Sequence, residues 1–180
     1  MNMQAIMDWR RKVGEEEANK ITRKAANRGT KVHQLCEDYI ADNPIDGKKY
    51  SITDVESFLA LRKIIDDNID NVHCQETRLY SDYLEVAGTV DCIAEFDGRL
   101  AVIDFKTARK LKKEEHIQNY FCQATAYSIM YEERTGIPVP YFVIIVTVDD
   151  EPPQVFRGKR NDYVKKLLEV RKQYKELKGV

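Results

Sequence analysis

From Tyr141 to Val148 the chain reads YFVIIVTV, eight residues with no charge and a single threonine. A strand wetted on one side alternates apolar and polar residues, whereas an unbroken apolar run suits a strand covered on both faces. A chain with such a strand must fold as a sheet with helices packed on each side. The flanking sequence offers those helices. Residues 114–134 set Ile117, Tyr120, Phe121, Ala124, Tyr127, Met130 and Tyr131 at helical spacing, with Gly136 and Pro138 as stop signals. A basic helix is expected over residues 161–177, and a short edge strand near Val155.

The first third of the chain reads as helical. Val32, Leu35, Cys36, Tyr39 and Ile40 form one apolar stripe, ended by Asn43-Pro44. Thr53 or Asp54 is the expected cap of a second helix, whose apolar face holds Val55, Phe58, Leu59, Leu61, Ile64 and Ile65. A strand follows over residues 74–80. The order of helices, three strands, helix, strand and helix predicts an α/β fold, a mixed sheet flanked by helices. A length of 180 residues suits one domain: a helical part over 1–72, a core over 73–148 and a basic C-terminal helix over 159–178.

Two strands of that core, residues 90–96 and 100–105, are joined by Asp97-Gly98, the dipeptide favoured by a two-residue type I′ hairpin. The turn sets Phe96 opposite Arg99, which carries Asp91 opposite Asp104 and Thr89 opposite Lys106. By alternation Asp91, Asp104 and Lys106 then share one face. Like charges placed opposite one another destabilise a sheet, and a divalent cation between them removes the penalty. Hard oxygen ligands in an incomplete cage suit Mg²⁺ or Mn²⁺, which take phosphate oxygens as further ligands. With Lys106 beside it, such an ion is equipped for phosphodiester hydrolysis.

Composition narrows the setting. No apolar run reaches the roughly 18 residues that span a bilayer, and the N-terminus lacks a signal-peptide core, so a cytoplasmic protein without membrane partners is expected. Cys36, Cys74, Cys92 and Cys122 are scattered without a Cys-x-x-Cys pair and read as free thiols. The net charge of −1 hides an asymmetry, because residues 157–180 hold nine Lys or Arg against three acids. Residues 106–113 add five Lys or Arg and no acid. Local basic patches of this kind suit a nucleic-acid partner.

At this point the sequence resembles a known family. Gly88-Thr-Val-Asp91 followed by Asp104-Phe-Lys106 resembles the PD-(D/E)xK nuclease signature. Arg28-Gly-Thr-Lys-Val-His33 with Glu37 is similar to the upstream RGTxxHxxxE helix of the RecB-like exonuclease branch, and Gln123-Ala-Thr-Ala-Tyr127 to its QxxxY motif. Trp9, Val13-Gly14 and Glu17-Ala18 match the W…VG…EA text that precedes the histidine helix in phage and mitochondrial genome-maintenance exonucleases. The likeness covers residues 9–148. It implies the restriction-endonuclease-like αβββαβ core, in agreement with the element order read above.

The resemblance also implies roles. His33, Asp91 and Asp104 would hold Mg²⁺ or Mn²⁺, one ion or two, with the Phe105 carbonyl as a further ligand. By pattern alone His33 is only a histidine at the edge of an apolar helix face. Lys106 would stabilise the reacting phosphate, and Gln123 and Tyr127 would hydrogen-bond near it. Glu76, brought toward Thr89 by a short loop, is a further candidate ligand, and Glu37 an orienting group. Arg109, Lys110, Lys112 and Lys113 follow the lysine and are candidate phosphate contacts. Tyr80, Tyr83 and Tyr120 are candidate stacking residues. The cysteine cluster of iron–sulfur relatives and the segment some relatives carry before the tryptophan have no counterpart, so no iron–sulfur centre is expected.

The resulting expectation is a metal-dependent DNA exonuclease that prefers single strands. Its setting would be phage or bacterial recombination, repair or genome processing, with DNA and recombination or replication proteins as partners. A structure-specific or restriction-type endonuclease, or an inactive DNA-binding protein of the same fold, are the alternatives.

Overall fold

The computed structural model describes residues 3–179. Three helices, α1 (Met3–Val13), α2 (Glu15–Ile40) and α3 (Ile52–Asn68), precede the strands β1 (Ile69–Ser81), β2 (Val86–Phe96) and β3 (Arg99–Ala108). Helix α4 (Gln118–Thr135) then crosses to β4 (Tyr141–Val148), followed by β5 (Glu151–Lys159) and α5 (Arg160–Lys178). The strands form one sheet in the order β1-β2-β3-β4-β5, with β3 and β4 parallel and the other neighbours antiparallel. This is the mixed, helix-flanked α/β sheet that the element order predicts. Among the described residues no helix is long and apolar enough to cross a membrane.

The apolar run of β4 is buried on both faces. Phe142, Ile144, Val146 and Val148 join a cluster with Phe121, Met130 and Tyr131 of α4 and Leu167 of α5. Val143 and Ile145 join the opposite cluster with Leu35 and Cys36 of α2 and Phe58, Leu61 and Ile65 of α3. The Phe121 and Phe142 rings stack with centroids 5.3 Å apart. Gly158 of β5 pairs directly with Phe142, and a Cβ there would lie 2.2 Å from the ring. Hence glycine, weak in a strand interior, is required where the ring approaches backbone.

Several sequence expectations are corrected at element boundaries. Helix α3 is capped by Ser51, not by Thr53 or Asp54. Asp54 sits at the third position of a capping box, where Ser51 Oγ accepts from Asp54 N–H and the Asp54 carboxylate accepts from Ser51 N–H at 2.9 Å. The helix expected from residue 114 begins as a 3₁₀ turn, Glu114–His116, and becomes α-helical only at Gln118, after Ile117 leaves helical geometry. Strand β1 starts at Ile69, five residues earlier than read, and its register shifts between Asp70 and Cys74. The edge strand near Val155 is present as β5. Cys36, Cys92 and Cys122 are buried, Cys74 is half-buried, and all four are free thiols.

Candidate active site

The β2–β3 hairpin has the register that its turn predicts. Asp97 and Gly98 take φ of 51° and 71°, and Phe96, Glu95, Ala94, Ile93 and Cys92 pair with Arg99, Leu100, Ala101, Val102 and Ile103. The ladder then stops. Asp91 does not pair with Asp104, nor Thr89 with Lys106, because the strands part beyond Cys92 and Ile103. The freed Phe105 N–H donates instead to Asp91 Oδ2 at 2.9 Å. Alternation along β2 breaks at the same point, since Val90 and Cys92, two residues apart, enter opposite core clusters.

Strand β1 is irregular across from this break. Gln75 pairs with Cys92 and Thr77 with Val90, so Glu76 lies across from Asp91 rather than Thr89, which pairs with Arg78. Glu76 has a left-handed φ of 42°. For a non-glycine residue in a strand such a conformation costs on the order of 1–3 kcal/mol and persists where surroundings impose it. Its carboxylate is thereby directed to a cluster with His33 of α2 and Asp91, in which one ligand atom of each residue lies within 4.8 Å of the others. His33 Nδ1 is 3.4 Å from Asp91 Oδ2.

Asp104 and Lys106 stand beside the cluster. Asp104 is 2% exposed, and the Lys106 ammonium lies 2.6 Å from its carboxylate oxygens, donating to Oδ1. Oδ2 is buried and accepts no well-directed hydrogen bond. Burial pushes the Asp104 carboxyl up to about 6, against the opposing pull of Lys106 and with a further push from Asp91. For Lys106 burial acts downward, but the Asp104 and Asp91 carboxylates outweigh it and hold its pKa above the ordinary value. Glu76 is also raised, by burial first and then by the charges of Asp91 and Glu37. The charge of Asp91 works against ionisation of both Asp104 and Glu76, and these carboxylates with the His33 imidazole make a donor set that fits a hard divalent cation.

Helix α4 covers the site from the other face of the sheet. Gln123 Nε2 donates to Tyr127 Oη at 3.3 Å, and burial raises the Tyr127 pKa. Gly88 explains why the tyrosine fits: a Cβ there would lie 2.9 Å from its Oη and Cε1. The Lys106 ammonium lies 5.3 Å from the centre of the Tyr120 ring, so Tyr120 faces the lysine; sequence reasoning considered it only for stacking on bases. Glu37 accepts from Gln34 at 3.1 Å. Tyr80 is half exposed beneath the Arg134 guanidinium, and Tyr83 is exposed.

The basic residues after β3 divide into two sets. Arg109, Lys110 and Lys113 are exposed, whereas Lys112 is half-buried and held by its backbone. Lys112 N–H donates to Gln154 Oε1 at 2.7 Å, and Gln154 Nε2 donates to the Lys112 carbonyl at 3.0 Å. No sequence signal marked Gln154. Arg28, quoted only as part of a motif, pairs with Asp149 beyond β4 and donates to Ser57 Oγ of α3 at 2.8 Å. It ties the helix that carries His33 to both.

Residues 50–177 match the family model of the PD-(D/E)XK nuclease superfamily. The mitochondrial genome maintenance exonuclease 1 of Xenopus tropicalis is 28% identical over 147 residues, covering 78% of this chain and 41% of the relative. The human protein of the same name is 24% identical over 147 residues, covering 78% of this chain and 42% of the relative. The chain thus spans less than half the length of these curated relatives. A solved structure from Eubacterium rectale, named as a candidate exonuclease, superposes with a TM-score of 0.54 at 12% identity, over 81% of this chain and 64% of that one.

Proposed function

The chain belongs to the PD-(D/E)XK nuclease superfamily, and from that premise we propose that it is a divalent-metal-dependent nuclease that hydrolyses DNA from an end, with a preference for single strands. The observation that carries the reading is the convergence of His33, Glu76 and Asp91 beside the buried Asp104–Lys106 pair. His33, Glu76, Asp91 and Asp104 would hold Mg²⁺ or Mn²⁺, with the Phe105 carbonyl as a further donor. When bound, such an ion supplies Lewis acidity and charge neutralisation to the reacting phosphate.

The chain's own groups do the rest. Lys106 is a cation aimed by Asp104, positioned to offset negative charge that develops on a phosphate oxygen. Asp91, fixed by the Phe105 N–H, keeps its second oxygen free for the ion. Gln123 and Tyr127 offer hydrogen-bond donors from α4 to the substrate, and Arg109, Lys110, Lys112 and Lys113 offer cations to its flanking phosphates. The exonuclease assignment leans on the names of the curated relatives.

The test incubates the protein with end-labelled linear single-stranded, linear double-stranded and closed circular DNA, in Mn²⁺, Mg²⁺ or EDTA. Loss of label from linear single strands in metal, with circles intact, is expected. Cutting of closed circles would overturn action from an end, and cleavage that survives EDTA would overturn the metal.

A further inference from the structure

Helix α2 is unusual along its middle. Ala18 is buried near its start, and Val32, Leu35 and Cys36 near its end, but from Asn19 to Lys31 no residue is buried. That span, about 20 Å of helix, bridges the α1 end and the core with its flank on a cleft of about 1840 Å³. The opposite wall is formed by Thr107 at the end of β3, Arg109 and Lys112 just beyond it, the turn after β4, and the start of α3. Within the cleft, Arg28 pairs with Asp149, and Lys31 with Asp54 at 3.4 Å. Lys20 pairs with Glu17 at 3.9 Å, so four lining cations remain (Arg23, Lys24, Arg109 and Lys112) against the acids Glu56, Asp150 and Glu151. Arg23 and Lys24 make no ion pair among the described residues. Trp9 stands on the rim, 37% exposed.

The cleft is lined by the elements that carry the proposed site, next in sequence to its residues. Thr107 follows Lys106 in β3, and Thr30 on the helical wall is three residues before His33. Gln154 fixes the backbone that carries Arg109 and Lys112. A polyanion with flat aromatic faces, narrow enough to lie between a helix and the sheet, matches this lining better than a duplex read through its grooves. We propose that this cleft is the track for the single strand adjoining the scissile phosphate, with Arg23, Lys24, Arg109 and Lys112 on its phosphates and Trp9 against a base. The inference rests on the nuclease reading above.

The experiment compares the unaltered chain with Arg23→Glu/Lys24→Glu and with Lys165→Glu/Lys172→Glu, an equal charge change on α5. Binding of fluorescent oligothymidylates of 4 and 20 nucleotides is followed by anisotropy in EDTA over a salt series, and cleavage in Mn²⁺. The cleft variant is expected to bind the 20-mer about 10-fold more weakly, with a salt slope shallower by about 1.4 or more. Its KM for the 20-mer should rise with kcat within two-fold, and its rate on the 4-mer should hold. An unchanged slope, an equal loss on both lengths, or an equal loss in the α5 variant would overturn the track. If the unaltered chain cuts neither oligonucleotide, the nuclease reading fails, and the EDTA binding series still decides the cleft.

Discussion

The two ends of the β2–β3 hairpin use the same strands to opposite purposes. At the closed end the ladder runs unbroken from Cys92 to the turn, and the turn is tied down. Asp97 accepts from Asn68 Nδ2 at 2.6 Å and from Arg157 at 3.0 Å, and the Arg157 guanidinium lies 5.1 Å from the centre of the Phe96 ring. At the open end the ladder is given up, and released backbone is satisfied by a carboxylate. A regular ladder would set Asp91 directly against Asp104. Splaying the strands while the turn holds the register lets the Phe105 N–H take Asp91 instead, and leaves Asp91 with Glu76 and His33 beside the Asp104–Lys106 pair.

The contrast predicts activity losses at one end and stability losses at the other. Asp91→Asn, whose amide oxygen can still accept from the Phe105 N–H, is expected to lower metal-dependent cleavage by roughly 10³–10⁴-fold with a thermal midpoint near that of the unaltered protein; activity within ten-fold would break the comparison. Phe96→Ala, at a position 3% exposed, should cost about 3–4 kcal/mol in urea unfolding and leave kcat of the folded fraction intact.

A third prediction concerns acidity at the open end. Burial raises Asp104 to about 6, above the roughly 3.9 of an unfolded chain. The native state therefore holds this proton more tightly, a contribution present below about pH 4 and lost as pH rises through about 6. From pH 4 to pH 8 in EDTA, the unaltered protein should lose about 1–3 kcal/mol of stability relative to Asp104→Asn. Parallel pH profiles for the two proteins would contradict it. The smallest effect belongs to the turn. Gly98 has φ of 71° with open space around it, so Gly98→Ala should cost about 1–2 kcal/mol through backbone strain alone.

The same contrast explains what the sequence made legible. Asp97-Gly98 is a local signal, and it carried the hairpin register correctly for five pairs. The unbroken YFVIIVTV run carried the two-sided burial of β4. Glu76 was misplaced because the loop after β1 was read over residues 81–84, whereas Ser81 still pairs with Val86; the unbroken register from that pair carries Glu76 to Asp91, and its left-handed backbone is encoded by neither alternation nor composition. The opposed Asp91–Asp104 pair was half right: the residues are neighbours, but the ladder ends at Cys92 and Ile103, and no local signal in the sequence marks where two strands part. Ser51 was passed over as a cap although Ser51-Ile-Thr-Asp54 spells the box, with aspartate in the place more often held by glutamate. Arg23 and Lys24 carried no signal, since exposed cations on a helix look alike until a cleft forms beneath them.

The amide of Gln154 has a kinetic consequence. By bonding both the N–H and the carbonyl of Lys112, it acts as one more rung of the sheet, reaching from the outer strand to a segment with no strand partner of its own. Release of that segment then requires the Gln154 side chain to give up both bonds, so the Lys112 amide should exchange its hydrogen more slowly than that of a free loop. Gln154→Ala would return it to the free-loop rate. The segment bearing Arg109 and Lys112 is thus anchored to the margin of the sheet, and its cations reach a phosphate chain from a held backbone.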